Sequence, residues 1–458
     1  MFGFISRHKA RPLWTWIPSV LAFLGLAWLS SRYDRHAALF AINTFEYVDW
    51  MMQESLDILV NKLAIMSMFN FEVQKEFEHD FAVGETVRVK FPQEYLIRTG
   101  LAYTEQPIAR RHTTVNCSQI FGIDFGWDSF EKALRMERGE AALSREYLEP
   151  AMAQMAQEFE SRAALWAAQN CSTIVGSLGT ATNTFDGTSA AARQKLVELG
   201  CPVGKDRAMI VPPQVMRGLK NAAIQYFNPV TDITKQFRDG IVGSGDGFDW
   251  YESVSLYQLT AGTWAAGVTV GAAGVTSGAT SVPITSTGGD SFNLGDKFSF
   301  AAVNPVNPRT RRRVGTAAKT FTVTQAIASA TGGASGDTLN FWPPVYGPGS
   351  QYQNVDALPL AAAALTLFPG TAAPNGLTGT VSLAIHPDAF ACVAVEFDNP
   401  KPGTVEISKQ LKDPDTGIAI SFVRSFDSPS RRWINRFDSC IGFGNLWSDN
   451  CCVGVLGV

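Results

Sequence analysis

Side chains able to do chemistry are few and scattered. The five histidines are His8, His36, His79, His112 and His386, so only one falls beyond residue 112. His386 stands in AIHPDAF, which reads as a strand-to-helix turn and gives the ring a structural role. The sequence contains no HExxH, GxxxxGK[ST] or GxSxG. Ser291 lies in STGGDSFNLGD, where GDS echoes a serine-hydrolase block. The setting is a hairpin turn, and no histidine near the C-terminus is available as its base. GSGDGF (243–248) looks like a phosphate loop, but DWYESVSLY follows it as a strand instead of a helix, so it reads as a turn. DPDTG (413–417) offers two carboxylates without the ligand ladder of a calcium loop, and is again a turn.

The seven cysteines are Cys117, Cys171, Cys201, Cys392, Cys440, Cys451 and Cys452. Their number is odd, their spacing is irregular, and no CxxC occurs, so neither a zinc ribbon nor a thioredoxin-like motif is present. They read as reduced thiols of a cytosolic chain, with Cys451 and Cys452 as the one adjacent pair. No cofactor or metal set is legible. One basic cluster stands out: NPRTRRRVG (307–315), with Arg309, Arg311, Arg312 and Arg313. Such a loop could grip phosphates, meet acidic groups of a neighbouring subunit, or be a solvated hairpin tip. Arg110 and Arg111 form a smaller pair.

These residues are spread over 458 positions, enough for two or three domains. Hydrophobic residues make up 46%, which permits large cores and excludes wholesale disorder. Only 17% are charged, and the net charge is −4. That balance opposes a dedicated nucleic-acid binder, which would carry a basic stripe. Low charge with 30 Phe and 11 Trp suggests that much surface is covered by other chains. LWTWIPSVLAFLGLAWL (13–29) is an uncharged run at the lower edge of a membrane span.

The elements follow from hydrophobic period. Residues 43–63 are helical, with Phe45, Val48, Met52, Leu56, Leu59 and Leu63 on one face. VGETVRVKFP (83–92) alternates as a strand. A polar, arginine-containing stretch (93–112) follows, and TTVNCSQIFGIDFGW alternates on the return, making a two-stranded excursion. From Gly139 to Asn170 the pattern is one helix, with Leu148, Met152, Met155, Phe159, Ala163 and Trp166 on a single stripe. At 1.5 Å per residue it would be roughly 45 Å long. Residues 189–200 form a short helix closed by Gly200, 207–213 a buried strand, and 214–223 another helix. Residues 261–345 are short strands with glycine turns, an all-β barrel or sandwich interrupting an α+β domain. Strand and helix pieces resume at about Asn354, and the C-terminus reads as strands.

This order of parts resembles the shell protein of tailed bacteriophages. So do the segments NTFEYVDWMMQESLDILVNKL, FAVGETVRVKFPQEYLIRTG, WDSFEKALRMERGEAALSREYLEPAMAQMAQ, GFDWYESVSLYQLTAGT and INRFDSCIGFGNLW. The texture is closest to the coat proteins of short-tailed lambdoid phages, which carry a β-barrel inserted in the α+β domain. The resemblance covers about residues 41–458. It implies a tailed-phage major capsid fold: an N-terminal arm (41–82), an extended β-loop (83–125), a peripheral domain with a long spine helix (126–185), an axial α+β domain (186–260), an inserted barrel (261–350), and the second axial part with C-terminal strands (351–458).

The function it implies is a non-enzymatic subunit forming pentamers and hexamers of an icosahedral shell around double-stranded DNA. The implied partners are further copies of the chain, a scaffolding protein, and a portal at one vertex; assembly would take place in the host cytoplasm. Arg309, Arg311, Arg312, Arg313, Arg110 and Arg111 become expected intersubunit contacts. Residues 1–40 depart from the family pattern. A membrane span on a shell subunit would compete with assembly, so this stretch is read as a start assigned too far upstream, with a real anchor at 13–29 as the alternative. Two other readings stand beside the main one: a cell-encoded compartment protein of the same fold, and a hydrolase using Ser291.

Overall fold

The computed structural model describes residues 44–71, 87–90, 94–106, 112–128, 148–179, 184–226, 244–368, 376–397, 407–429 and 432–457, apart from a few single positions within them. The apolar run 13–29, Arg110, Arg111, and the expected helical residues 139–147 lie outside this set. The chain divides after Glu54. Of the first unit only the start of the helix Thr44–Asn61 is described; every other described element belongs to the second.

The spine helix is present as Glu149–Asn170, 22 residues with Pro150 in its first turn, where a missing N–H costs nothing. Of the expected stripe, Leu148, Met152, Met155, Phe159 and Ala163 are buried, while Trp166 is half-buried and Ala167 takes the buried position beside it. One buried member lies outside the apolar pattern: Glu160, only 5% exposed. Its carboxylate accepts from the backbone N–H groups of Ala64 (3.0 Å), Ile65 (2.7 Å) and Met66 (3.0 Å), holding the turn that follows the first helix. Burial raises its pKa, and the three bonds oppose that shift.

The described strands form three sheets. The excursion consists of Val87–Lys90 paired antiparallel with the start of His112–Asp128. The latter strand is 17 residues long and runs alongside Arg432–Asn445, from Asp128 opposite Arg432 to Asn116 opposite Phe443. Ala419–Asp427, Ile407–Lys412 and Phe390–Val395 complete this sheet. The C-terminal strand Arg432–Asn445 therefore belongs to the sheet of the excursion. Phe121 from this sheet packs edge-on against Phe159 of the helix, ring centroids 5.3 Å apart.

The second sheet is mixed. Ala208–Val211 is buried at every position, lies parallel to Phe248–Glu252 and antiparallel to Thr378–Ile385. Cys452–Leu456 pairs antiparallel with Thr378–Ile385 and parallel with Thr173–Gly176. Buried on both faces, such strands read as continuous apolar runs, which is how AMIV and CVGVL look. The helix Ala191–Glu198, preceded by a π turn at Asp186–Ala190, ends on Gly200 at φ +84°. Gly200 N donates to Val197 O and Cys201 N to Leu196 O, the paired bonds of a Schellman stop.

The third sheet is the insert, Thr269–Val270, Ala279–Ser286, Lys297–Phe300, Thr320–Val323, Gly333–Val345 and Leu365–Leu367. Its strands run to Leu367, past the expected boundary at 350. Its two end strands meet through the Thr269–Ala364 bridge and the bond from Val270 N to Ala363 O, so the sheet curls into a nearly closed barrel. Phe298, Phe300, Phe321 and Phe341, all 0–1% exposed, fill it with rings 5.2–6.1 Å apart.

The insert is fastened to the spine by polar side chains. Lys297, 2% exposed, extends Nζ to the carbonyls of Ala168 (2.8 Å), Gln169 (3.3 Å) and Cys171, and to Thr322 Oγ1 (2.9 Å). The last carbonyls of a helix have no partner within it, and a cation there also meets the negative end of the helix dipole. Burial lowers the Lys297 pKa to about 8. Beside it Asp296 accepts from Gly262 N and Asn293 N, and burial raises its pKa to about 6. Gly262 is required here, because a Cβ would stand 2.2 Å from Ser291 O.

Candidate functional site

The arginine loop is an ordered turn, anchored at both ends. Asn307 Oδ1 accepts from Arg309 N (3.0 Å) and Thr310 N (3.1 Å), and Asn307 Nδ2 donates to Glu198 O (2.8 Å) at the end of the short axial helix. Arg311 adopts φ +55°, and its guanidinium donates to Ser350 O (2.6 Å) and Gln351 O. Arg311 is thus tied to the main chain of the insert itself. Arg309, Arg312 and Arg313 are exposed, with Arg313 bridged through its backbone to Val306. The cluster divides into one structural arginine and three that face outward.

The stretch that the sequence presents as polar and charged carries a different feature. Within residues 94–106, Tyr95 (62%), Ile97 (93%), Leu101 (99%) and Tyr103 (82%) are exposed. The backbone here is held locally: Gln106 exchanges two bonds with the main chain of Leu96, at 2.7 and 2.6 Å, and Arg98 bonds Gly100 O. Gln351 Nε2 donates to Glu94 O, tying the base of the segment to the insert beside Arg311. Four large apolar side chains so close together on one exposed segment form a surface that a lone soluble protein avoids. The signal was legible in the two-residue spacing of 95/97 and 101/103, but the neighbouring arginines masked it.

The remaining chemical candidates resolve as turns. Ser291 Oγ is engaged by Thr263 N (3.0 Å) and Thr263 Oγ1 (2.8 Å), and Ser291 N by Thr263 O, so the hydroxyl is a turn brace. GSGDGF is the tip of the hairpin joining Ser244–Gly245 and Phe248–Glu252. Asp246 (φ +55°) and Gly247 (φ +79°) supply its two left-handed positions. Asp413 Oδ2 accepts from Thr416 N and Oγ1 in the hairpin between Ile407–Lys412 and Ala419–Asp427. His386 caps a short 3-10 turn, Nδ1 accepting from Asp388 N at 3.3 Å.

One constellation has no counterpart in the sequence pattern. Cys201, His386 and Cys451 are each buried, and one ligand atom from each lies within 4.8 Å of the other two. The neighbouring Cys451 thiol, with Arg207 nearby, draws the Cys201 pKa down. Cys452, next in sequence, instead meets Cys171.

A spine helix crossed by a long two-stranded excursion, with a mixed sheet interrupted by a barrel, is the architecture of a tailed-phage capsid protein. The family model described as P22 coat protein, gene protein 5, matches residues 128–438, about two thirds of the chain. The chain belongs to this coat protein family and is a structural, non-enzymatic component of a phage capsid; the hydrolase reading of Ser291 falls. No curated protein matches the sequence. Among solved structures, it is similar to one of Mycobacterium phage Che8, with 12% identity, TM-score 0.43, and 86% of this chain and 90% of that one covered. It is also similar to the capsid structure of cyanophage P-SCSP1u, with 11% identity, TM-score 0.37, and 83% and 90% covered. A third is the head of Helicobacter pylori bacteriophage KHP40, with 10% identity, TM-score 0.33, and 81% and 83% covered.

Proposed function

We propose that the chain assembles into pentamers and hexamers of an icosahedral shell enclosing double-stranded DNA, with the segment 94–106 lying across a neighbouring subunit. The observation that carries this reading is the exposed set Tyr95, Ile97, Leu101 and Tyr103. Burying the side chains of Ile97 and Leu101 contributes roughly 1.5–3 kcal/mol each. A closed shell repeats every such contact around its rotation axes, so modest contacts suffice. Arg309, Arg312 and Arg313 supply outward charge for acidic groups of a neighbour. Arg311, between them, reaches Gln351, which in turn holds Glu94 at the base of the apolar segment. A scaffolding protein and a portal complete the assembly, which takes place in the host cytoplasm.

The double variant Ile97→Asp/Leu101→Asp tests the reading. We expect a chain with unchanged circular dichroism and unfolding midpoint that forms no closed particles with its scaffolding protein. Particles of normal size and yield from this variant would overturn the role of the segment.

A further inference from the structure

We propose that Cys201, His386 and Cys451 form a binding site for a soft or borderline divalent cation, of which Zn2+ is the fitting example. Their ligand atoms lie mutually within 4.8 Å, and the residues are 3%, 7% and 0% exposed. Two thiolates and an imidazole are the ligand types zinc selects. At a zinc–sulfur length of about 2.3 Å, tetrahedral coordination sets sulfurs roughly 3.8 Å apart. From an upper bound of 4.8 Å, closing to that distance takes at most about 1 Å.

The three ligands are held by backbone bonds independent of any metal. Cys201 is fixed at the Schellman stop by Cys201 N to Leu196 O, 3.0 Å. His386 N donates to Cys451 O at 3.0 Å, so two ligands are joined directly through the main chain, and Cys451 N is fixed to Trp447 O at 2.8 Å. His386 Nδ1 accepts from Asp388 N at 3.3 Å, which orients the imidazole and leaves Nε2 as its other ring nitrogen. Zn2+ with two thiolates and a neutral imidazole carries no net charge, so the filled site adds no uncompensated charge to this buried position. The fourth position is left to an exogenous ligand.

The placement gives the cation a job. Cys201 precedes the inserted barrel in sequence, while His386 and Cys451 follow it. A cation here would cross-link the two halves of the domain that the insert separates, stabilising the folded chain by mass action. The inference stands independently of shell formation.

The full-length chain, purified under reducing and chelator-free conditions, should carry one zinc per chain by elemental analysis. After metal removal, titration with Co2+ should give intense visible bands of tetrahedral cobalt together with thiolate charge-transfer absorption. Cys201→Ser and His386→Gln should each weaken Co2+ binding by roughly tenfold or more, while Cys171→Ser should leave it unchanged. Should a variant fail to fold, the Co2+ spectrum of the unaltered chain decides alone. Absence of metal and of any cobalt spectrum would overturn the proposal, and so would a Cys201–Cys451 disulfide seen by mass spectrometry under the same conditions.

Discussion

Lys297 shows what a single side chain contributes at the junction of the insert and the spine. Its ammonium is the donor to the carbonyls of Ala168, Gln169 and Cys171. Lys297→Met keeps the volume and removes the donors, leaving buried acceptors orphaned; we expect a loss of about 3 kcal/mol, read by chemical unfolding. Its neighbour Asp296 adds a pH dependence of unusual sign. With its folded pKa raised to about 6 from 3.8, the proton binds the folded chain more tightly than the unfolded one. The stability contribution is therefore fully present below about pH 4 and is lost as pH rises through 6. Asp296→Asn should remove this term, so the difference in unfolding free energy between wild type and variant should change across pH 4–7. The arginine cluster divides in the same way. Arg311→Ala should destabilise the insert by about 1 kcal/mol, because its guanidinium bonds to Ser350 O and Gln351 O are lost. Arg312→Ala/Arg313→Ala should leave the unfolding midpoint unchanged and weaken capsomer association in sedimentation. Unchanged association would return those two to a solvated role.

At the scale of elements, legibility followed the range of the interaction that decides each feature. Local rules sufficed for the Gly200 stop, for Ala208–Val211 and for the turns at Asp246 and Asp413. Each depends on backbone geometry or on the period of a few residues. Gly200→Ala should cost about 1 kcal/mol in thermal unfolding, since alanine is strained at φ +84° where glycine is not. Features set by distant parts of the chain were not legible. Glu160 looks like an exposed helix residue until the turn at Ala64–Met66 supplies three N–H donors from nearly a hundred residues away. The strand Arg432–Asn445 reads simply as a strand; its partner, His112–Asp128, lies some three hundred residues earlier. Cys201, His386 and Cys451 share no local spacing and become neighbours only when Thr378–Ile385 pairs with both Cys452–Leu456 and Ala208–Val211.

At the largest scale, the second unit carries an exposed apolar segment on its packed sheets and spine helix. The spine helix, packed through Phe159 on the excursion's sheet and bonded through its last carbonyls to the insert, fixes the relation of those parts. The exposed tip at Tyr95–Tyr103 hangs from Glu94 on the insert's Gln351. Fold class was readable because strand and helix periods and the composition change near residue 261 depend on nothing outside the chain. The proposed assembly face was not, because a surface that another copy would complete looks, in one sequence, like a poorly composed loop. Central to all of this is that these surfaces are made to meet copies of the same chain. Electron microscopy of the full chain co-expressed with its scaffolding protein tests that most directly. We predict closed, uniform particles built of five-fold and six-fold rings; a population of separate soluble subunits with no closed particles would contradict it.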